Sequence, residues 1–176
     1  MDRPDPPRLE AWRSLLEAHA ALTEVLEDEL LAACGLPLAW YEVLLHLHEG
    51  GGRSRMQELA YSVLLSKSGV TRLVDRMVVA GLVVRESCPN DRRGTLAVLT
   101  DDGRSKLRAA SPVHLRGVQE HFGRFVTPDE AEVVSTALTR VVAGRDGGRR
   151  SPRCADEGEP TEGGSPGRFP AVGDAG

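Results

Sequence analysis

The stretch GLVVRESCPNDRRGTLAVLT, residues 81–100, decides the fold, because two β-type runs flank a short charged segment. The β-branched and aliphatic runs predict strands near 82–86 and 95–99, and the segment between them predicts the tip of a hairpin. An Asn-Gly pair would turn the chain with less electrostatic cost, and a solvated turn is the bland interpretation of the tip. The tip carries three charged residues in a row: Asp91, Arg92 and Arg93.

Before the hairpin, residues 66–81 predict an amphipathic helix with two chemically different sides. The predicted inner side holds Val70, Leu73, Val74 and Met77. The opposite side holds Ser68, Thr71, Arg72, Asp75, Arg76 and Val79, with Ser66 and Lys67 at the helix start. Arginine can donate two hydrogen bonds to guanine, hydroxyls can bond to base edges, and a lysine can contact phosphate. Such a helix suits a DNA major groove, although by itself it is equally consistent with a solvated surface helix.

The helix before it strengthens the DNA interpretation. Ser54, with Gln57 three residues later, predicts a capped helix, and a tight turn separates that helix from the basic one. Helix, turn, basic helix and arginine-tipped hairpin together predict a winged helix-turn-helix. In this arrangement the hairpin lies over a minor groove, which is narrow and electronegative in A/T-rich DNA and which an arginine enters favourably.

Helices are also predicted on both sides of this unit. A long first helix ends at Gly35, and Pro37 starts a second one. Thr100 caps a fifth helix, in which Pro112 is expected to cause a kink or a restart with Ser111 as the new cap. The sequence TPDE at residues 127–130 starts a sixth. The predicted fold class is therefore mostly α.

The run LVDRMVVAGLVVRESCPNDRRGTLAVLTDDG, residues 73–103, resembles the core motif of the multiple-antibiotic-resistance regulator (MarR) family. The likeness extends from about Trp12 to Val142. It implies an obligate homodimer formed by the first, fifth and sixth helices, a recognition surface over Ser66–Arg76, and a wing whose Arg93 reaches the minor groove while Asp91 braces it. It also implies a small phenolic or anionic effector between the dimer helices and the DNA-binding lobe. The candidate pocket residues are Trp12, His19, Trp40, His114 and Arg116.

The predicted organisation has a frayed N-terminus over residues 1–7 and one winged-helix domain over 8–143. Within that domain, a DNA-binding lobe covers about 37–100, and dimerisation helices cover about 8–34 and 101–143. Residues 144–176 are rich in Gly, Pro, Ser and mixed charge and predict a disordered tail.

The charge distribution favours one local polyanion-binding surface. The chain has a net charge of −4, yet residues 53–93 contain eight Lys or Arg and four Asp or Glu, so this block is +4 and the remainder −8. No apolar run approaches the roughly 20 residues needed to span a membrane. The odd number of three cysteines, without the spacing of a disulfide framework, indicates a reducing cytoplasm.

The predicted function is that of a sequence-specific transcriptional regulator, namely a homodimeric repressor that a small effector releases from a palindromic operator. No cofactor, metal site or catalytic constellation is predicted, because His46 and His48 point to different sides of a helix and no nucleophile or phosphate-loop motif occurs. One alternative is a winged-helix module for protein association without DNA binding. The other is a metal- or oxidant-responsive regulator.

Overall fold

The structure is a computed structural model that describes residues 4–63, 67–88 and 91–146. Its elements, in chain order, are α1 (Pro6–Cys34), α2 (Leu38–Glu49), β1 (Arg53–Arg55), α3 (Met56–Ser62), α4 (Lys67–Val79), β2 (Val83–Cys88), β3 (Asp91–Leu99), α5 (Asp101–His121) and α6 (Pro128–Asp146), with a 3-10 turn at Gly123–Phe125. The fold is mostly helical with one small antiparallel sheet. This confirms the predicted winged helix-turn-helix class.

The sheet has three strands in the order β1-β3-β2. The predicted hairpin is present, and its strands extend further toward the tip than expected, to Cys88 and from Asp91. Strand β1 was not predicted; it pairs with β3 through partners such as Ser54 and Ala97. The wing is therefore hydrogen-bonded to the segment that leads into α3.

The core lies where α2, α3 and α4 meet the sheet. The inner side of α4 is buried as predicted, because its apolar residues recur at helical spacing. The fully buried side chains include Leu30, Leu36, Tyr41, Val43, Leu44, Leu47, Leu59, Val70, Val74, Met77 and Val83. This packing fixes which side of α4 faces outward.

Helix α1 begins at Pro6, two residues before the predicted start of the folded domain at residue 8. Asp5 is its N-cap, and its side chain accepts a hydrogen bond from Arg8 N at 3.0 Å. The helix ends at Gly35, whose positive φ of 58° allows the left-handed turn, as predicted. Lys106 on α5 donates from Nζ to the Cys34 carbonyl at 2.6 Å, so α5 satisfies one of the unpaired carbonyls at the end of α1.

The cap predicted for α3 was wrong. Ser54 lies in β1, and Arg55 occupies the N-cap position. Glu58, rather than Gln57, supplies the capping carboxylate and accepts from Arg55 N at 3.2 Å. The register of β1 against β3 decides this, since it places Ser54 in the sheet, two residues before α3 begins at Met56.

The start of α5 was predicted correctly, because the Thr100 hydroxyl accepts from Gly103 N at 3.0 Å. The predicted restart of the helix at Pro112 was wrong, since α5 continues through it to His121. Ser111 does not cap a new helix; its hydroxyl donates to the Leu107 carbonyl at 2.8 Å, one turn earlier.

Helix α6 begins with the predicted capping box. Thr127 and Glu130 bond reciprocally, from Thr127 N to Glu130 Oε2 at 2.9 Å and from Glu130 N to Thr127 Oγ1 at 3.4 Å. These hydrogen bonds also lower the pKa of the Glu130 carboxyl.

Among residues 4–63, 67–88 and 91–146, no single helix is both long and apolar enough to cross a membrane. Helices α1 and α2 meet the length and composition criteria only when joined across the 84° bend between them. Their junction belongs to the folded core, where Leu30 and Leu36 are fully buried.

Candidate nucleic-acid interface

The outer side of α4 presents polar and basic groups to solvent, as predicted. Ser68, Thr71, Arg72, Asp75 and Arg76 are all exposed, and Val79 at the end of the helix is 89% exposed. They recur at the three- and four-residue spacing that aligns side chains along one side of a helix. Within the described part of the chain, neither arginine at 72 and 76 forms a salt bridge. The side therefore offers guanidinium, hydroxyl and methyl groups in one row.

A residue that sequence reasoning missed borders this row. Arg85 on β2 forms a salt bridge with Asp75, with Nη2 at 2.9 Å from Oδ1, and also donates to the Thr71 carbonyl at 3.2 Å. In the sequence analysis, Arg85 appeared only as one of the eight Lys or Arg residues between positions 53 and 93. Its position follows from strand alternation, because it lies two residues after the fully buried Val83 and so on the same side of the strand.

The predicted wing tip is described only in part. The backbone of β3 starts at Asp91, which pairs with Cys88, and a bulge interrupts the register between Ser87 and Cys88. The side chains of Asp91, Arg92 and Arg93 lie outside the described part of the structure, as do Ser66 and the side chain of Lys67. Their roles therefore stay predictions.

A buried polar network lies behind the interface, where α2, β1 and α3 meet. The Ser54 hydroxyl, only 6% exposed, donates to Glu58 Oε2 at 3.0 Å and lies 3.4 Å from His46 Nε2. Burial lowers the pKa of His46, and the nearby carboxylates of Glu49 and Glu58 only partly offset this. Because a buried polar group is costly to leave unpaired, the network holds α3 in one orientation against α2.

Of the candidate effector residues, Trp40 and His114 lie close to the core. Trp40 packs half-buried against it, and the His114 ring lies 4.4 Å from the buried ring of Tyr41, centroid to centroid. His114 Nδ1 is buried and has no hydrogen-bond partner among the described residues. Burial lowers the pKa of the His114 imidazole. Burial also raises the pKa of the Tyr41 phenol. Both rings are therefore neutral at pH 7.

The other three candidates lie elsewhere on the chain surface. Trp12 is 56% exposed, and His19 and Arg116 are also exposed. Helix α1 packs against α5 where Leu26 lies beside Gly117. Trp12 is 14 residues before Leu26, and a separation of 14 residues corresponds to about 21 Å along a helix. A single chain thus does not bring Trp12 to His114.

No group of three or more His, Cys, Asp or Glu residues that could hold a metal ion occurs in the described ranges. Cys34 is a free, half-buried cysteine. Cys88, the last residue of β2, is not a free cysteine. Its Sγ also lies 3.6 Å from Arg55 Nη2.

Comparisons with known proteins agree with this geometry. The sequence profile of the MarR family matches residues 35–94. The crystal structure of AbsC, a MarR family transcriptional regulator from Streptomyces coelicolor, is 36% identical with a TM-score of 0.73, over 84% of this chain and 99% of that one. Sco3205 from the same organism, a MarR family transcriptional regulator solved in complex with DNA, is 32% identical with a TM-score of 0.74, over 82% and 91%. The HTH-type transcriptional regulator YkoM of Bacillus subtilis is 30% identical over 51% of this chain, and the match spans 57% of YkoM.

Proposed function

The chain belongs to the MarR family of winged-helix transcriptional regulators, and we propose that it is a homodimeric repressor that a small effector releases from a palindromic operator. The observation that carries the proposal is the exposed row of Arg72, Arg76 and hydroxyl groups on α4, next to a hairpin. A protein-association surface would instead be depleted of such charge at its centre.

In the proposed complex, α4 enters a major groove. Arg72 and Arg76 donate to guanine, and the Thr71 methyl or Val79 meets a thymine methyl. The wing carries Arg93 into the adjacent minor groove. The DNA complex of Sco3205, a relative of 32% identity with the same fold, supports this assignment. In this proposal the DNA-binding lobe covers about residues 37–100.

A homodimer is proposed because two helices far apart in sequence expose apolar side chains. Isolated exposed hydrophobic residues are common, whereas continuous apolar helix faces mark an interface. The exposed residues are Trp12, Leu15 and Leu16 on α1, Phe122 and Phe125 after α5, and Val133, Val134, Val141 and Val142 on α6. Pairing of these faces about a two-fold axis would bury them and bring together residues that one chain keeps apart.

The effector is proposed to bind beside Tyr41 and His114, between α2 and α5. A neutral imidazole with one nitrogen left unpaired by the described residues can accept the hydroxyl proton of a phenol or donate to a carboxylate, depending on its tautomer. This Nδ1 atom supports a phenolic or anionic effector, because a ligand there would satisfy a buried polar atom.

Binding-site selection from random duplex DNA tests the operator. We expect an enriched palindrome with half-sites about 10 base pairs apart, centre to centre. The stoichiometry should be one dimer per site. Selection that returns single asymmetric sites, or no enriched sequence, contradicts the proposal.

The effector claim has a separate test with salicylate and simple phenols as probes. We expect at least one probe to weaken operator binding by the wild-type chain and to act much less on His114→Phe, which retains a ring but has no acceptor nitrogen. His48→Phe, changed at an exposed position on α2, is the matched control and should respond like the wild type. A probe response that is equal in all three proteins would place the effector elsewhere.

A further inference from the structure

Arg85 makes two contacts with the outer side of α4, one turn of helix apart. Its guanidinium reaches the Asp75 carboxylate at 2.9 Å and the Thr71 carbonyl at 3.2 Å. Thr71 and Asp75 are four residues apart, so they lie one above the other along α4. One side chain of the wing thus holds the middle of the helix that carries Arg72 and Arg76.

The chemistry of arginine suits this bridge better than that of lysine. A planar guanidinium with five donors can bond a carboxylate and a carbonyl at once, whereas an ammonium acts as a single point charge. The Arg85 side chain is 31% exposed and that of Asp75 is 60% exposed. Since partly exposed salt bridges contribute little to folding, stability alone is a weak reason for this contact.

Asp75 is the acidic residue in a row that otherwise offers donors and methyl groups to DNA. A carboxylate facing phosphates repels them, and closely spaced charges are little screened by salt. The guanidinium of Arg85 cancels this charge and also limits how far Arg72 and Arg76 can shift relative to the wing. Both effects should change the affinity for DNA and should have no consequence in the free protein.

We propose that Arg85 is a positioning residue for DNA recognition, which acts through Asp75 to neutralise and orient the outer side of α4. The inference rests on the proposed DNA-reading role of α4. It differs from a direct phosphate contact, in which Arg85 would act without Asp75.

A double-mutant cycle in operator affinity separates the two roles. The proteins are the wild type, Arg85→Ala, Asp75→Asn and the double variant, measured on the selected duplex at several salt concentrations. We expect Arg85→Ala to weaken binding on the order of tenfold and Asp75→Asn to recover most of that loss, a coupling expected of groups in contact. The salt dependence of Arg85→Ala should stay that of the wild type.

A direct phosphate contact predicts a different pattern. Arg85→Ala would then weaken binding equally in the wild-type background and in the Asp75→Asn background, and it would reduce the salt slope by about one unit. That result overturns the proposal. Arg85→Lys adds a second check, since it keeps the positive charge but loses the planar set of donors of the guanidinium. Its affinity for the operator should lie between those of the wild type and Arg85→Ala.

Two controls complete the experiment. Arg108→Ala removes an exposed positive charge from α5, away from α4, and should leave affinity unchanged. Arg72→Ala tests the premise: if it weakens binding while the Arg85 cycle shows no coupling, only the present inference fails. If the wild type binds no selected duplex, or Arg72→Ala is without effect, the DNA-reading role of α4 fails and this inference fails with it.

Discussion

Gly103 lies directly against the carbonyl of Leu82: a β-carbon at position 103 would stand 2.1 Å from that oxygen. The Thr100 hydroxyl lies 2.9 Å from the same oxygen and donates to it, and Thr100 N donates to it at 3.2 Å. The first turn of α5 is therefore packed onto the junction between α4 and β2. This contact explains why the motif after β3 ends in a glycine.

Gly103→Ala should destabilise the fold by about 1–3 kcal/mol, the usual cost of overpacking a tight contact. The obstacle is backbone, which cannot rotate away as a side chain would. Gly144→Ala is the matched control, because a β-carbon added there would meet no described atom within 4 Å and alanine favours helix over glycine by about 0.5–1 kcal/mol. Urea denaturation of both variants measures the difference. Equal stability of the two would contradict the close contact.

Arg72→Ala should relax base preference at one operator position and cost about 1–3 kcal/mol there, if the contact with guanine is bidentate. Lys67→Ala should weaken binding to all sequences alike and reduce the salt slope by about one unit. Affinities for the selected operator and its single-base variants test both. A uniform loss from both changes would show that Arg72 does not read a base.

Arg93→Ala should weaken operator binding strongly while the protein stays folded and dimeric, because the residue is predicted at a wing tip. The loss should depend on the A/T content of the flanking sequence, which sets the width and potential of the minor groove. Folding is checked by circular dichroism. Unchanged affinity would refute the wing contact.

Asp91→Ala tests whether this residue braces the wing. As a brace, its loss adds an ordering cost on binding and weakens affinity. As a solvated turn residue, its loss removes a negative charge near phosphate and should raise affinity or do nothing. The two accounts predict opposite signs at one fixed salt concentration, so tighter binding would exclude the brace.

Glutamates at Val134 and Val141 should turn the proposed dimer into a monomer, because both side chains are exposed on α6 in the single chain. Burial of two carboxylates in an apolar interface is unfavourable. Val84→Glu places the same change on an exposed position of β2 and should leave the dimer intact. Light scattering gives the mass of each protein. A dimeric double variant with unaltered dissociation would remove α6 from the interface.

Stability should fall as the pH decreases below about 6.5, the ordinary pKa of histidine. Burial lowers the pKa of His114 in the folded chain. Below 6.5 the unfolded chain therefore binds more protons, and the stability present above that pH is lost as the pH falls through the folded pKa. His114→Gln should flatten the decline of melting temperature between pH 7 and 5, whereas His48→Gln should not. Some slope should remain, since burial also lowers the pKa of His46.

The sequence predicted features whose cause is local. The two sides of α4 follow from residue spacing, so the burial of Val70 and Met77 and the exposure of Arg72 were both anticipated. The caps at Thr100 and Thr127 were anticipated for the same reason, since each hydroxyl bonds within its own first turn.

Features that depend on a distant partner were missed. Strand β1 has three residues, too few for a periodic signal, and its existence depends on β3. The pairing of β1 with β3 places Ser54 in the sheet, so Ser54 is not the N-cap of α3. Pro112 was expected to kink or restart α5, but the helix continues across it without a restart. The contact between Arg85 and Asp75 needed the packing of β2 against α4, which spacing alone does not supply.

The third strand also restricts how such a regulator can respond to a signal. β1 pairs with β3, and Leu99 N donates to the Gly52 carbonyl at 2.8 Å, so the sheet joins the wing to the segment that leads into α3. The lobe should consequently move as a rigid body. In the proposed dimer, the adjustable quantity is the separation between two such bodies, and successive major grooves on one side of B-DNA repeat every ~34 Å. A change of a few ångströms in that separation would take both recognition helices out of phase with the operator, with no rearrangement inside either lobe.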